Sequence, residues 1–301
     1  MINQNKDIRD DQIRIIGDES LCKSSNKKRW AIAIATCLLL IATILCTLAV
    51  KYSSAEIEKE EYISVFEEKQ CIKNCISADT LALTLKADSV SEGYIERKDT
   101  CINDVQLRLF IPHNAEMSLH IGRMQKNDPS VIFVGQAADV RADNGKIVGA
   151  FVQKGKPISW GKSKKGYCAS INGNVYVGVA ENTPLFEMAT ENEGYFFRNY
   201  ALVDNGKLVE NTPKGKTIRR AMCQMRGNIF MIESLTRESF HDFAQALVDL
   251  GVDNSIYLVG STAYGWSVDK DGITHEHGED IWRNNPEGCP KNVSYVVWRK
   301  K

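Results

Sequence analysis

The sequence predicts an α+β fold, mostly an antiparallel β meander with one long and one short helix, behind a single N-terminal transmembrane helix. Three observations support this prediction. A long uncharged segment lies near the N-terminus, short β-rich segments separated by turn residues fill the chain from about residue 106, and only two stretches there favour helix. Lysine plus arginine equal aspartate plus glutamate at 38 each. The chain therefore has no net charge that would attract nucleic acid.

The transmembrane prediction rests on the segment from Trp30 to Val50, which contains no charged residue. As a helix rising ~1.5 Å per residue, it is long enough to cross a hydrocarbon core of ~30 Å. Basic residues crowd its N-terminal side and acidic residues follow it, which favours a cytoplasmic N-terminus and a periplasmic or extracellular C-terminal domain. A cleavable signal peptide is the alternative, but its apolar region is normally shorter, so an uncleaved anchor is expected.

These observations divide the chain into four parts. They are a cytoplasmic tail (1–29), the transmembrane helix (30–50), a partly helical stalk (51–97) and a folded domain (98–301). Cys71 and Cys75 of the stalk would share one helix face, yet zinc would need two further ligands that are not evident. Surface thiols and disulfide partners both remain open for these cysteines.

Several turns in the folded domain have a residue type that tolerates positive φ. They are Asp143-Asn144-Gly145, Asn172-Gly173, Asn205-Gly206 and Arg226-Gly227-Asn228. Each lies between segments with strand composition, such as "GYCASINGNVYVGVA" and "IRRAMCQMRGNIFMI". Antiparallel hairpins are therefore predicted along this part of the chain.

Two helices are predicted within the meander. A short one covers about 184–193, with Pro184 in its first turn and Gly194 at its end. A longer one is capped by Thr236, carries an apolar stripe and ends at Gly251. The longer helix leads directly into "SIYLVGST", a buried strand followed by a small, hydroxyl-rich loop. Such strand ends often present a site.

The order of these segments resembles the phosphodiester glycosidase domain family over roughly residues 130–301. The resemblance is carried by "IRRAMCQMRGNIFMIES", the amphipathic helix, "LGVDNSIYLVGST", a glycine-bearing hairpin and the last strand "NVSYVVWRK". It implies an α+β domain that acts on sugars linked through a phosphodiester. The sequence identifies no cofactor and assigns no metal ligand.

The resemblance also implies site residues. Arg220, or its neighbour Arg219, matches a family arginine, and a planar guanidinium can hold two phosphate oxygens. Asp139 stands where the family has an asparagine, and would act as an acid, a base or a metal ligand. Arg220 and Asp139 are thus the expected catalytic pair.

The loop after the buried strand differs from the family pattern. Val259 stands where the family has an aspartate, whereas Gly260, Ser261 and Thr262 retain the small loop and are expected to contact substrate. Trp266 could stack on a sugar ring, with partial burial in the hairpin as the alternative. His275 and His277 alternate along one strand, either as a metal pair or as a polar face.

Two functional classes remain open from the sequence. In one, an envelope hydrolase cleaves a sugar-phosphate or related glycosidic bond. In the other, a degenerate relative binds a glycan or a partner protein without chemistry. Position 259 discriminates between them, because the family enzymes are expected to need a carboxylate there. The expected partners are the membrane and a carbohydrate or sugar-phosphate ligand, and no nucleic acid.

Overall fold

The computed structural model describes residues 92–161 and 164–301. The predicted tail, the transmembrane segment and nearly all of the stalk lie outside the described residues. Within these two ranges, no helix is both long and apolar enough to cross a membrane. The first strand begins at Tyr94, so residues 94–97, which the sequence boundary places in the stalk, are part of a sheet.

The described chain is mostly antiparallel β-structure with two α-helices, which confirms the α+β prediction. The strands are β1 (Tyr94–Ile102), β2 (Val105–His113), β3 (Ala115–Ile121), β4 (Val131–Gln136), β5 (Ala150–Gln153), β6 (Lys156–Trp160), β7 (Gly166–Ile171), β8 (Asn174–Val179), β9 (Tyr195–Asn199), β10 (Ala201–Asp204), β11 (Lys207–Leu208), β12 (Arg220–Met225), β13 (Asn228–Ser234), β14 (Asn254–Leu258), β15 (Gly265–Val268), β16 (Thr274–His277) and β17 (Ser294–Lys300). The helices are α1 (Leu185–Glu191) and α2 (Phe240–Leu250).

Three antiparallel sheets organise the domain. The first has the strand order β1-β2-β13-β12-β14-β10-β11, the second β16-β15-β4-β17-β3 and the third β6-β5-β9-β7-β8. One face of the first sheet packs against α2, and the opposite face shares a core with the other two sheets. Alternation along each strand of the first sheet therefore decides which side chains face α2 and which face the second sheet.

Helix α2 forms where the apolar spacing predicts it, but its N-cap lies three residues later than the predicted cap. Ser239, not Thr236, is the N-cap, and its hydroxyl accepts a hydrogen bond from the Asp242 amide at 3.0 Å. The Thr236 hydroxyl instead bonds to the Glu238 carboxylate. Gly251 ends the helix in the left-handed conformation at φ 91°, as predicted. Helix α1 likewise falls within the predicted range.

The predicted hairpin turns are present in the structure. Asn172-Gly173, Asn205-Gly206 and Arg226-Gly227 all have positive φ at both residues and join β7 to β8, β10 to β11 and β12 to β13. Paired positive φ values match the right-handed twist of the joined strands. The turn at Asp143 to Gly145 is different, because it closes an isolated bridge between Val140 and Ile147.

The cysteines of the described chain fall into two groups. Cys101 is disulfide-bonded, whereas Cys168, Cys223 and Cys289 are free thiols. Cys168 and Cys223 are fully buried, and burial raises the pKa of both thiols, that of Cys223 to about 12. Neither thiol is suited to nucleophilic chemistry, since a reactive cysteine needs a lowered pKa and access to solvent.

Candidate anion-binding site

A row of alternating charges crosses four neighbouring strands of the first sheet. Asp99 of β1 pairs in register with Arg108 of β2, Arg108 with Glu233 of β13, and Glu233 with Arg220 of β12. Residues directly opposite on adjacent strands point to the same face. This face lies away from α2, because the alternate residues of the same strands pack against the helix.

Each arginine of the row is paired with a carboxylate. Arg108 donates two hydrogen bonds to Asp99, both at 2.7 Å. Arg220 donates through Nε to Glu233, and this pair is almost completely buried, with side-chain exposures of 5% and 10%. The row is therefore neutral overall, and the guanidiniums keep further N–H groups available for other acceptors.

A cavity of about 390 Å³ lies between this row and the β15–β16 hairpin of the second sheet. Its charged lining consists of four arginines and three carboxylates, beside two histidines. The lining includes Arg97, Arg108, Arg220, Arg237, Glu233, Glu276, Glu279, His275, His277, Thr217, Ser261, Thr262, Ser267 and the ring of Phe110. Such a set provides many donors and a small apolar wall, which suits a polar anionic ligand.

Unpartnered polar atoms concentrate in this cavity. In the described part of the chain, five buried side-chain nitrogen or oxygen atoms have no hydrogen bond. Four of them belong to lining residues: Arg97 Nε, Ser267 Oγ and both ring nitrogens of His277, although the Val134 carbonyl lies close enough to the imidazole to raise its pKa. A buried polar group without a partner costs about 1–3 kcal/mol, so such atoms normally meet water or a ligand.

His277 is held neutral by its surroundings. Burial lowers the pKa of its imidazole well below the ordinary value, and the charges of Arg220 and Arg97 lower it further, against a smaller opposing effect of a hydrogen-bond interaction with the Val134 carbonyl. The ring lies near Phe110 and Phe133, with centroid distances of 5.6 and 5.8 Å. A neutral imidazole carries one donor and one acceptor, so it can contact either kind of ligand atom.

The loop after β14 is shaped by a close backbone approach. A Cβ at Gly260 would lie 2.1 Å from the Ile218 carbonyl oxygen, so any larger residue would collide with the backbone. Ser261 follows in the left-handed region at φ 56°, and its amide donates to the same carbonyl at 2.8 Å. Arg220 Nη1 donates to the carbonyls of Val259 and Ala263. The loop is thus small because it folds over Ile218, and Arg220 ties it to the charged row.

The structure brings together only some of the predicted site residues. Arg220, Ser261 and Thr262 line the cavity, and Gly260 lies in the same loop. Arg219 points to the opposite face of the sheet, where its guanidinium donates to the carbonyls of Glu238 and Gly215. Those contacts commit the Arg219 side chain to the fold.

Trp266 and Asp139 lie away from the cavity lining. Trp266 is 3% exposed and packs in an apolar cluster of the second sheet. Asp139 follows β4, and burial raises the pKa of its carboxyl, against a smaller opposing effect of Lys164. The Val259 amide donates to the Gln136 carbonyl at 3.0 Å, so the segment leading to Asp139 borders the loop after β14.

Sequence reasoning missed most of the cavity wall. Arg97, Arg108 and Ser267 were not candidates, because the four consecutive charges of "YIERKDT" fall on both faces of a strand and do not indicate which face meets a site. His275 donates through Nε2 to the Asp269 carboxylate at 2.7 Å, and so is not paired with His277. Among residues 92–161 and 164–301, no three histidine, cysteine or acidic side chains are grouped as metal ligands would be.

Comparison with known proteins yields similarity at the level of structure only. No family model matches the sequence, and no curated protein matches it. The catalytic domain of zebrafish N-acetylglucosamine-1-phosphodiester alpha-N-acetylglucosaminidase, auto-inhibited by its pro-peptide, is similar with a TM-score of 0.47 and 14% identity, over 71% of this chain and 85% of that one. A hypothetical protein from Synechocystis gives 0.44 and 11%, over 69% and 62%. Neither likeness assigns an activity or a residue role to this chain.

Proposed function

We propose that the described domain recognises a phosphorylated glycan by binding its phosphate, as a monoester or a diester, in the arginine-lined cavity. The observation that carries the proposal is the cavity itself. Arg97, Arg108 and Arg220 line it together with hydroxyl groups, and four buried polar atoms there have no partner. A phosphate oxygen can accept from each donor type present, and charge-assisted bonds to arginine are the stronger kind.

The balance of charge favours a ligand with a low negative charge. Arg108 and Arg220 are matched by Asp99 and Glu233 within the row. Among the described residues Arg97 has no such ion pair. Burial and the Arg108 charge lower its pKa, against opposing effects of Asp99, Asp269 and Glu233, and a guanidinium stays protonated at neutral pH. An oxyanion placed beside Arg97 would compensate this charge. A volume of about 390 Å³ is in the usual range for small-ligand sites and leaves room for a sugar next to the phosphate.

Recognition is favoured over hydrolysis because two of the three carboxylates that line the cavity are already held in ion pairs. Glu233 is paired with Arg220, and the pKa of Glu276 is lowered mainly by its hydrogen bond with Lys126. Val259 offers no acid at the position where the resembled family has one. Hydrolysis is the second candidate: the raised pKa of Asp139 suits a general acid, but Asp139 lies outside the cavity lining and would have to act on a part of the ligand that extends beyond the cavity.

We further propose that the chain is anchored in a membrane by residues 30–50, with the domain in the periplasm or outside the cell. The support is the uncharged segment from Trp30 to Val50 with its basic N-terminal flank. The disulfide of Cys101 adds support, since disulfides persist in oxidising compartments.

Binding is tested by calorimetry on the full-length protein in detergent, with the methyl phosphodiester of N-acetylglucosamine 1-phosphate as the probe. Arg97→Gln removes one charged donor without breaking an ion pair. Loss of such a bond costs about 1.5–3 kcal/mol, which corresponds to roughly 10- to 150-fold weaker binding. The matched control is Arg141→Gln, an exposed arginine outside the cavity that is paired with Asp143. Equal affinity of the two variants, or no binding by the unmodified protein, would contradict the proposal.

The choice between recognition and hydrolysis is tested with the same probe. Free N-acetylglucosamine is measured after incubation with the unmodified protein. Recognition predicts binding with no release above the rate without protein. Release that is lost in Asp139→Asn, while binding is retained, would establish the hydrolytic candidate instead.

A further inference from the structure

His277 occupies a position in the cavity that a specific glycine makes possible. It is the last residue of β16 and pairs in register with Gly265 of β15. A Cβ at Gly265 would lie 2.3 Å from the His277 Nε2 and 2.1 Å from the Val134 carbonyl oxygen. The imidazole therefore packs directly over the backbone of β15, and only glycine leaves room for it.

The imidazole shares the cavity with two other residues that have an unpartnered buried atom. Arg97 lines the cavity from the first sheet and Ser267 lines it from β15. Arg97 Nε is a donor, and the Ser267 hydroxyl can both donate and accept a hydrogen bond. The group that would satisfy all of them at once is an acceptor with several lone pairs, such as an oxyanion.

We propose that His277 takes up a proton from solvent when an oxyanion enters the cavity, and that the resulting imidazolium donates to that oxyanion beside Arg97 and Ser267. The inference rests on the proposed function and deepens it. It makes the cavity a proton-linked anion site rather than a fixed set of positive charges.

The physical reason is a change in the field around the ring. In the free protein, burial and the neighbouring charges of Arg220 and Arg97 disfavour a second proton on His277. Six other charged or titratable residues line the cavity. They are Arg108 of β2, Glu233 of β13, His275 and Glu276 of β16, Glu279 just after β16, and Arg237 just before α2. A bound anion offsets the arginine charges and gives the ring an acceptor. Both effects raise the pKa of His277 in the complex.

The sign of the pH dependence follows from linkage. The pKa of His277 is higher in the complex than in the free protein, so the complex holds more protons. Affinity is then greatest at low pH and falls as pH rises through the interval between the two pKa values, by at most about tenfold per pH unit. The free-protein pKa lies well below the ordinary histidine value, which places the lower end of the interval on the acid side of that value.

The probe is again the methyl phosphodiester of N-acetylglucosamine 1-phosphate. A diester lacks the second ionisation that phosphate monoesters show near about pH 6, so any linked proton belongs to the protein. Calorimetry of the full-length protein in buffers with different ionisation enthalpies gives the number of protons taken up on binding. The unmodified protein is expected to take up a measurable fraction of one proton at slightly acid pH.

Two matched variants assign that proton. His277→Gln should bind the probe with no proton uptake, whereas His241→Gln should retain it, since His241 is exposed on α2, outside the cavity, and bonded to Glu210. A further measurement does not depend on variants: the imidazole ¹⁵N shifts of His277 in the unmodified protein should move toward the doubly protonated values when the probe is added.

The outcomes separate the two proposals. Binding by the unmodified protein without proton uptake, or uptake that persists in His277→Gln, would overturn the role of His277 and leave phosphate recognition standing. No binding at all would overturn phosphate recognition, and the role of His277 with it. If His277→Gln does not fold, unchanged ¹⁵N shifts in the unmodified complex would be the overturning result.

Discussion

The buried pair of Arg220 and Glu233 provides the sharpest test of the charged row. In Arg220→Met, the Glu233 carboxylate would remain almost completely buried without its partner. Breaking a buried pair in this way costs about 3–5 kcal/mol. For a domain of about 200 residues, each kcal/mol lowers Tm by roughly 2–4 °C, so a decrease of roughly 6–20 °C is expected.

The double variant Arg220→Met/Glu233→Met separates lost pairing from lost packing. Replacing a buried pair by apolar side chains is often neutral or stabilising, so the double variant should recover most of the lost stability. Thermal unfolding of the full-length protein is followed by fluorescence, to which the buried Trp266 and Trp298 contribute. Arg141→Met, at an exposed pair, serves as the control and should change Tm little. A decrease below about 2 °C in Arg220→Met, or a double variant less stable than the single one, would refute the argument.

The loss of stability expected in Arg220 variants complicates their use in binding experiments. Substitution of Arg220 alone would weaken ligand binding in part through the loss of folded protein. Arg97 has no ion pair to break, and therefore reports on the ligand more directly.

Four further outcomes are expected. Gly260→Ala should lower the free energy of unfolding by about 1–3 kcal/mol or more, since the added Cβ would collide with the Ile218 carbonyl. The control Gly227→Ala, whose Cβ meets nothing within 4 Å, should cost only ~1 kcal/mol because of the positive φ at this position. Equal Tm values for the two variants would contradict this. Ser239→Ala should cost about 1 kcal/mol through the lost cap, and Thr236→Ala less. If the lack of a carboxylate at position 259 is all that prevents hydrolysis, Val259→Asp should release N-acetylglucosamine from the diester probe. If it releases none, other residues must also account for the lack of hydrolysis. Protease added to intact spheroplasts should remove residues 51–301, and protection of the domain would reverse the proposed orientation.

The sequence predicted the local elements well because their signals are local. The pairs Asn172-Gly173 and Arg226-Gly227 need positive φ whatever surrounds them, and the apolar stripe of α2 needs only one buried face. The predicted N-cap was wrong because the hydroxyls of Thr236 and Ser239 can both accept a hydrogen bond from a helix amide. Which of them does so depends on the path of the chain after β13. That information is in the tertiary structure.

The site was predicted only in part for the same reason. Arg220 and the loop after β14 could be identified because they lie on a segment that resembles a known family. Arg97 and Arg108 could not, since their role depends on strand register between β1, β2 and β13, which are distant in sequence. Trp266 sits in a glycine-rich hairpin that looks exposed, yet the pairing of β15 with β4 buries it. Whether such a side chain is buried or lines the cavity depends on the pairing of strands that are distant in sequence.

The two walls of the cavity come from different sheets, and this has a consequence for how the site could change over time. The arginine row is fixed by four paired strands and a buried ion pair, so substitutions there disturb the fold. The β15–β16 hairpin contributes the other wall and ends in a turn formed by Asp269 to Gly272. Relatives could vary the hairpin, and with it the sugar or other group beside the phosphate, while the first sheet keeps the phosphate-binding wall unchanged. Ligand specificity and fold stability would then evolve largely independently.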